Sequence, residues 1–115
     1  AGAATNFSFP STGFYQIDFT TQISVTSSSS NVYLYTSIWT CIDGSNFDNT
    51  INAVSNTFGN SNAVYTTTTA SAFIDVTNTS NDKFYLAVLP EVDCNLLGST
   101  SGLYTYLQVK RLADT

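Results

Sequence analysis

The chain has 115 residues, a length that allows one domain with a buried core and leaves no room for a second. Ser, Thr and Asn supply 44 of these residues, whereas Asp, Glu, Lys and Arg together supply 11. His is absent, which excludes Ser-His-Asp and Cys-His catalysis and imidazole ligands for metals. The net charge of −5 repels phosphate backbones, so no nucleic acid partner is expected.

Membrane insertion is not expected either. The longest apolar run, residues 84–90, is far shorter than the roughly 18 to 20 residues that a membrane span requires. The chain starts without Met and has no basic region followed by an apolar stretch. We therefore expect residues 1–115 to form a single domain that is the mature or carboxyl-terminal part of a longer chain.

Most residues in the chain favour strands or turns. Thr, Tyr, Phe and Val prefer strands, Ser and Asn prefer turns, and the helix formers Glu, Lys, Arg and Met are nearly missing. Alternation of apolar and polar residues predicts strands, in chain order, at 6–9, 14–25, 32–42, 64–77, 83–89 and 103–112. Polar runs predict turns at 27–31, 78–82 and 98–102, and a loop with one short strand at 43–62. About seven or eight short strands indicate an all-β protein, an antiparallel β-sandwich or jelly roll.

The strand predicted at 32–42 carries two apolar faces. One row is aliphatic, and the other contains Tyr33, Tyr35, Trp39 and Cys41. By contrast, the strand at 14–25 is mostly apolar at odd-numbered positions and polar at even-numbered ones, so one of its sides meets water. Something must therefore cover the second apolar face of 32–42.

Sixteen aromatic residues are many for so small a chain. The row at 33–39 and the pair Tyr104 and Tyr106 fit three roles: a second core layer, a sugar-stacking platform or a subunit interface. Because apolar surface beyond the needs of one core favours association, we predict that a subunit interface contains Tyr33, Tyr35, Tyr104 and Tyr106.

The two cysteines, Cys41 and Cys94, are 53 positions apart. This spacing excludes the close pairs of redox and metal sites, and without His there are too few soft ligands for zinc. Two alternatives remain, a disulfide that joins a strand end to a distant loop or two half-buried thiols. The low-charge surface, which is typical of extracellular proteins, favours the disulfide.

The segment 43–48 offers side-chain oxygens from Asp43, Asn46 and Asp48. It matches a calcium loop poorly, because Gly44 is at the wrong place and no bidentate Glu follows, so an Asx turn is the better interpretation and no metal or cofactor is expected. Together with Trp39, these three residues are candidates for ligand contact. The carboxylates are expected in solvated turns, so no catalytic pair and no enzyme activity is predicted.

Several segments, taken in order, resemble one family. FPSTGFYQIDF at 9–19 places a proline turn and a glycine before an aromatic strand, and IDG follows at 42–44. DKFYLAV at 82–88 and GLYTYLQVKRL at 102–112 complete the succession. Over nearly the whole chain it resembles the globular domain of the C1q and tumour-necrosis-factor-like superfamily.

The resemblance implies a jelly roll that assembles as a tight homotrimer, with the four tyrosines at its interface, and forms the head of a fibre or stalk. Similar domains cap fibres and spikes or decorate phages and viruses, a setting that fits the Ser-, Thr- and Asn-rich surface. We therefore predict a non-enzymatic protein of the virion surface or extracellular space: a spike, fibre head or capsid decoration. Its expected partners are further copies of itself, capsid or stalk proteins, and a host surface protein or glycan. The alternative is a secreted, lectin-like carbohydrate-binding module in which Trp39 and nearby tyrosines stack on sugars.

Overall fold

Strands and their connections make up the part of the chain that the structure describes. The computed structural model describes residues 6–27, 32–57, 60–90, 94–98, 101–102 and 104–115. Within these ranges there is no helix, as the composition predicts. The strands are β1 (Phe7–Ser8), β2 (Gly13–Ser27), β3 (Val32–Cys41), β4 (Asn49–Thr57), β5 (Asn60–Val76), β6 (Lys83–Pro90), β7 (Asn95–Leu96) and β8 (Tyr106–Ala113).

The strands form two antiparallel sheets that pack against each other. The first sheet has the order β1-β6-β3-β4. In the second sheet, β5 lies on one side of β2, and both β7 and β8 lie on the other. The predicted all-β class and antiparallel sandwich are confirmed.

Alternation along β2 decides which side of the second sheet becomes core. Tyr15, Ile17, Phe19 and Ile23 are buried, whereas the intervening positions 16, 18, 22 and 24 are half-exposed. Three of the four join a cluster that includes Ile38 from the opposite sheet. Burying an aliphatic or Phe side chain stabilises the fold by roughly 1.5 to 3 kcal/mol. This row therefore holds β2 in one register and sets the orientation of the strands that pair with it.

The segment 43–62, predicted as a loop with one short strand, contains one complete strand and the start of another. β4 pairs with β3 from Asn49 to Thr57, and β5 already begins at Asn60. The segment is rich in Asn, Ser and Thr, and its strands depend on backbone hydrogen bonds to neighbours that are distant in sequence. The two-residue strand β7, which pairs with Ile23 and Ser24, escaped prediction for the same reason.

The turn predicted at 78–82 is confirmed, and Asp82 organises it. The Asp82 carboxylate is buried and accepts the backbone N–H groups of Thr77 and Asn78 at 2.8 and 2.9 Å. The Asn78 side chain accepts the N–H of Ser80 at 2.9 Å. Of the other predicted turns, residues 28–31 and 99–100 lie outside the described residues.

The predicted disulfide is wrong, because the structure holds Cys41 and Cys94 as thiols that are not joined. Cys41 ends β3, and its thiol donates to the Asp43 carboxylate at 3.4 Å. Cys94 instead packs against Ile23 and Leu34, near the opposite end of β3. The strand from residue 34 to 41 spans roughly 23 Å, whereas a disulfide requires Cα atoms within about 7 Å.

One hydrogen bond inside the core joins the two sheets. Thr21 of β2 and Thr36 of β3 are fully buried, and their hydroxyl oxygens lie 2.8 Å apart. Thr68, the register partner of Thr21 on β5, is also buried, but its hydroxyl has no hydrogen-bond partner among the described residues. The core thus contains a paired hydroxyl and an unpaired one on neighbouring strands.

We expect Thr21→Val to lower the free energy of unfolding by about 1 to 3 kcal/mol, because it leaves the buried Thr36 hydroxyl without a partner. The double variant Thr21→Val, Thr36→Val should recover most of this loss, since no hydroxyl is then left unpaired. Thr68→Val is the matched control and should be at least as stable as the parent protein. Guanidinium unfolding at one fixed protein concentration measures all four proteins. Equal losses in the single and double variants would contradict the expectation.

Candidate functional site

β3 presents an aromatic row on the outer side of the first sheet. Its even-numbered residues from 34 to 40 point into the core, so Tyr33, Tyr35 and Trp39 point away from it. Tyr85 of β6 is the register partner of Trp39. We refer to Tyr33, Tyr35, Trp39 and Tyr85 as the aromatic face. The strand has two apolar faces, as its alternation predicts.

The rings of the aromatic face pack on one another. Trp39 and Tyr85 are parallel, with ring centroids 5.7 Å apart and an interplanar angle of 5°. Phe47 meets Tyr85 edge-on at 4.8 Å, and Tyr33 meets Tyr35 edge-on at 5.9 Å. Each such pair contributes roughly 0.5 to 1.5 kcal/mol beyond the burial of its surface. The rings are therefore held in fixed positions, while Tyr33 is exposed and the others are half-exposed.

The loop at 42–48 is organised by Asp43. One carboxylate oxygen accepts the backbone N–H groups of Ser45 and Asn46 at 2.9 and 2.7 Å, and the other accepts the Asn46 side-chain amide at 2.9 Å. Gly44 has φ of +86°, a backbone conformation that favours glycine. Its carbonyl accepts the Lys83 ammonium at 3.5 Å. The predicted Asx turn is confirmed.

These hydrogen bonds lower the pKa of Asp43 well below its ordinary value of 3.8. The largest causes are the backbone N–H groups of Asn46 and then Ser45, followed by the Asn46 amide and the Cys41 thiol. All of these donors favour the charged carboxylate. Asp43 is therefore a fixed anion that shapes the loop, and it is poorly suited to general acid or base chemistry.

The four predicted ligand residues lie at one end of the aromatic face, but two of them already have partners. Trp39 is two residues from Cys41, whose thiol contacts Asp43. Asp43 and Asn46 bond to each other within the loop, and Asp48 is exposed. In the described ranges, no three His, Cys, Asp or Glu side chains come together as a metal ion would require. The half-exposed rings remain the surface that a ligand could contact.

The four tyrosines of the predicted interface lie on separate surfaces. Tyr33 and Tyr35 belong to the aromatic face of the first sheet. Tyr106 is paired with Thr20 on the outward side of the second sheet, and Tyr104 is exposed in the segment before β8. Within one copy, the two outer faces of a sandwich point in opposite directions. The structure therefore does not bring the four residues together, and their role in an interface stays a prediction.

Sequence reasoning missed several apolar side chains that the structure leaves exposed. Phe73, on the outer side of the edge strand β5, and Ile42, after β3, are 71% and 62% exposed, and Val109 on β8, at the opposite edge of the second sheet, is 40% exposed. Phe73 interrupts a row in which Thr67, Thr69 and Ser71 are polar, and this is the signal that marks it. Which strands lie at an edge is not encoded in their own alternation.

Comparison with known proteins leaves the function to be argued from geometry. No family model matches the sequence, and no curated protein is detectably related to it. The residues that the structure describes include no helix with the length and apolar character to cross a bilayer.

We expect the Asp43 carboxylate to stay ionised as the pH falls through 3.8, its ordinary pKa. The loop bonds favour the charged form, so their stabilising contribution is complete above the ordinary pKa and is lost only as the pH falls through the lowered one. Carbon-13 NMR titration of the carboxyl group measures this. Asn46→Ala should raise the Asp43 pKa toward the ordinary value, because it removes a donor. An Asp43 that titrates near 3.8 in the parent protein would contradict the expectation.

Proposed function

We propose that the protein is the non-enzymatic head of a homotrimeric spike, fibre or capsid decoration on a virion surface. The observation that carries the proposal is apolar surface beyond the needs of one core. Among the described residues, twelve large hydrophobic side chains are exposed, up to 71% at Phe73. Exposed apolar side chains mark an interaction site where they lie side by side, as Ile42, Ile51 and Phe73 do around one shallow depression. Association of identical copies is the commonest way to bury it.

A jelly-roll topology is part of the proposal. Among the eight described strands, the chain changes sheet at five connections, and only β3 and β4 pair as consecutive neighbours. β6 comes late in the chain yet lies between β1 and β3. Greek-key connections produce this kind of order, and a jelly roll contains two Greek keys. The strand order therefore supports the sequence resemblance to trimeric heads.

The polar surface supports an exposed structural role. On the outer side of β2 and β5, Asp18 accepts the Ser71 hydroxyl at 2.6 Å and the Gln16 amide at 3.1 and 3.2 Å. Thr20 and Thr69 pair at 2.7 Å in the same row. Hydroxyl, amide and carboxylate groups thus form hydrogen bonds with one another on this surface, where many proteins have ion pairs. A rigid head with three copies would bind a host more tightly than a single weak contact does, because the three contacts form together.

We expect the purified chain to form a trimer at micromolar concentration, with a solution mass three times its 12.4 kDa. Size-exclusion chromatography with multi-angle light scattering measures the mass, and a dilution series measures the affinity. Dilution should return the 12.4-kDa species without a change in far-ultraviolet circular dichroism, since each copy has its own core. A monomer at every concentration would refute the trimeric head.

A carbohydrate-binding module is the second candidate, and the parallel Trp39–Tyr85 pair favours it. Trp39 and Tyr85 are half-exposed and stack in parallel, so a ring face that this stack leaves open is a flat apolar surface on which a sugar ring can stack. Asp48 is an exposed carboxylate near that end of the sheet and could accept sugar hydroxyl protons.

If this second candidate is correct, Trp39→Ala should abolish binding in a glycan-array screen and in titration of any glycan that the parent protein binds. Tyr65→Ala is the matched control, because Tyr65 is an exposed ring on the other sheet and its loss should leave binding unchanged. Circular dichroism checks that both variants fold. Glycan binding that survives Trp39→Ala would exclude the aromatic face as the sugar site.

A further inference from the structure

Two asparagines of the chain stand in the motif for N-linked glycosylation. This motif is Asn-X-Ser or Asn-X-Thr, where X is any residue except Pro. Of the eleven Asn residues, Asn6 and Asn78 satisfy it, in the triplets NFS at 6–8 and NTS at 78–80. A chain rich in Ser and Thr contains such triplets by chance, so the surroundings of each Asn must decide between them.

Asn78 begins a tight turn at the surface, and its side chain is exposed. The side-chain oxygen accepts the backbone N–H groups of Ser80 and Asn81 at 2.9 and 3.3 Å, which makes the segment an Asx turn. The backbone carbonyl of Asn78 accepts the N–H groups of Asn81 and Asp82 at 3.1 and 2.8 Å. The amide nitrogen makes no hydrogen bond to any residue that the structure describes. The atom that would carry a sugar is therefore the available polar atom of this side chain.

The turn is held from below by a buried carboxylate. Asp82 is 2% exposed and accepts the N–H groups of Thr77 and Asn78 at 2.8 and 2.9 Å. The hydrogen bonds of the turn join residues at most five positions apart. Local turns form before strands that are distant in sequence pair with each other. The turn therefore presents Asn78 to a transferase on a newly made chain as well as in the folded protein.

Asn6 lies in a different setting, although it is also exposed. The next two residues form β1, in which Phe7 and Ser8 pair with Phe84 and Lys83 of β6. The Phe7 ring stacks on Phe84, with ring centroids 5.0 Å apart and an interplanar angle of 17°. An extended, paired strand does not form an Asx turn. The two triplets therefore differ in backbone conformation.

We infer that Asn78, and not Asn6, is the attachment site of an N-linked glycan. This inference rests on the proposed location at a virion surface or outside the cell, because N-linked glycans belong to surface loops of secreted proteins. In the transfer, Nδ2 of Asn78 bonds to the anomeric carbon of an oligosaccharide carried on a lipid pyrophosphate. The bond between that carbon and the phosphate oxygen breaks, the lipid pyrophosphate leaves, and Nδ2 gives up one proton to a base of the transferase.

The turn keeps its hydrogen bonds when Asn78 carries a glycan. The sugar replaces one hydrogen of Nδ2, so the side-chain oxygen still accepts the N–H groups of Ser80 and Asn81. Asp82 continues to hold the backbone, because its partners are main-chain groups. The glycan is therefore compatible with the folded protein.

A glycan at this position also orients the head. A side chain on Gly44 would meet the Asn81 amide oxygen at 3.0 Å, so the turn at 78–82 and the loop at 42–48 lie together at one end of the sandwich. A large, hydrated glycan prevents burial of its surroundings in a protein contact. This end of the sandwich therefore faces water in the assembled head.

Mass spectrometry of protein secreted from eukaryotic cells tests the assignment. Peptide-N-glycosidase removes an N-linked glycan and converts the Asn that carried it to Asp, so peptide mapping identifies the position. We expect the parent protein to carry one such glycan, at Asn78. A folded, secreted protein without a glycan at Asn78, or with one at Asn6 alone, would overturn the inference.

Variants of the triplet separate the motif from the turn. Ser80→Ala removes the hydroxyl that the motif requires but keeps the backbone N–H that Asn78 accepts, so the glycan should be lost and the fold unchanged. Ser80→Thr should retain the glycan, because Thr also completes the motif. Asn6→Gln is the matched control and should retain it as well. Circular dichroism checks the fold of each variant, and a glycan that persists in Ser80→Ala would contradict the assignment.

Light scattering of the same samples separates this inference from the proposed function. We expect a trimer both before and after removal of the glycan, since the glycosylated end lies outside the contacts between copies. A glycosylated protein that is always monomeric refutes the trimer and supports the site. A trimer without a glycan at Asn78 overturns the site alone. A trimer that forms only after the glycan is removed overturns the outward orientation of this end.

Discussion

The inward row of β2 is the constraint on which the rest of the structure depends. β2 is the one strand that pairs with β5, β7 and β8, and its buried residues Ile17 and Ile23 contribute to both clusters of the core. A shift of one residue in the register of β2 would expose this row to water and displace the three strands that pair with β2. The buried Thr21–Thr36 hydrogen bond also fixes the position of one sheet relative to the other, because it can form at one position only.

This arrangement leaves different surfaces on the two sides and the two edges of the sandwich. The second sheet faces outward with paired hydroxyl, amide and carboxylate groups, whereas the first sheet faces outward with the aromatic face. The second sheet also exposes two apolar side chains, Phe73 on the outer side of β5 and Val109 on β8 at the opposite edge.

Much of the fold follows from local sequence. β2, β3 and β6 were predicted nearly in full, because the alternation that marks a strand is contained in the strand itself. The Asx turn at Asp43 and the turn at 78–82 were also predicted, since their hydrogen bonds join residues a few positions apart. For β4 only one short strand within 43–62 was predicted, and β7 was missed, because polar strands are defined by backbone partners elsewhere in the chain.

The candidate sites, like the fold, could be predicted from the sequence only in part. Residue types and alternation by themselves determined that the protein is all-β, that β3 has two apolar faces and that Asp43 starts a turn. Only the tertiary structure decided that Cys41 and Cys94 lie at opposite ends of β3, that Tyr33 and Tyr106 lie on different sheets, and that Phe73 and Val109 lie at edges. The physical reason is that alternation assigns a side chain to one face of its own strand. Strand order and sheet packing, which depend on contacts between distant residues, decide whether that face becomes core, surface or edge.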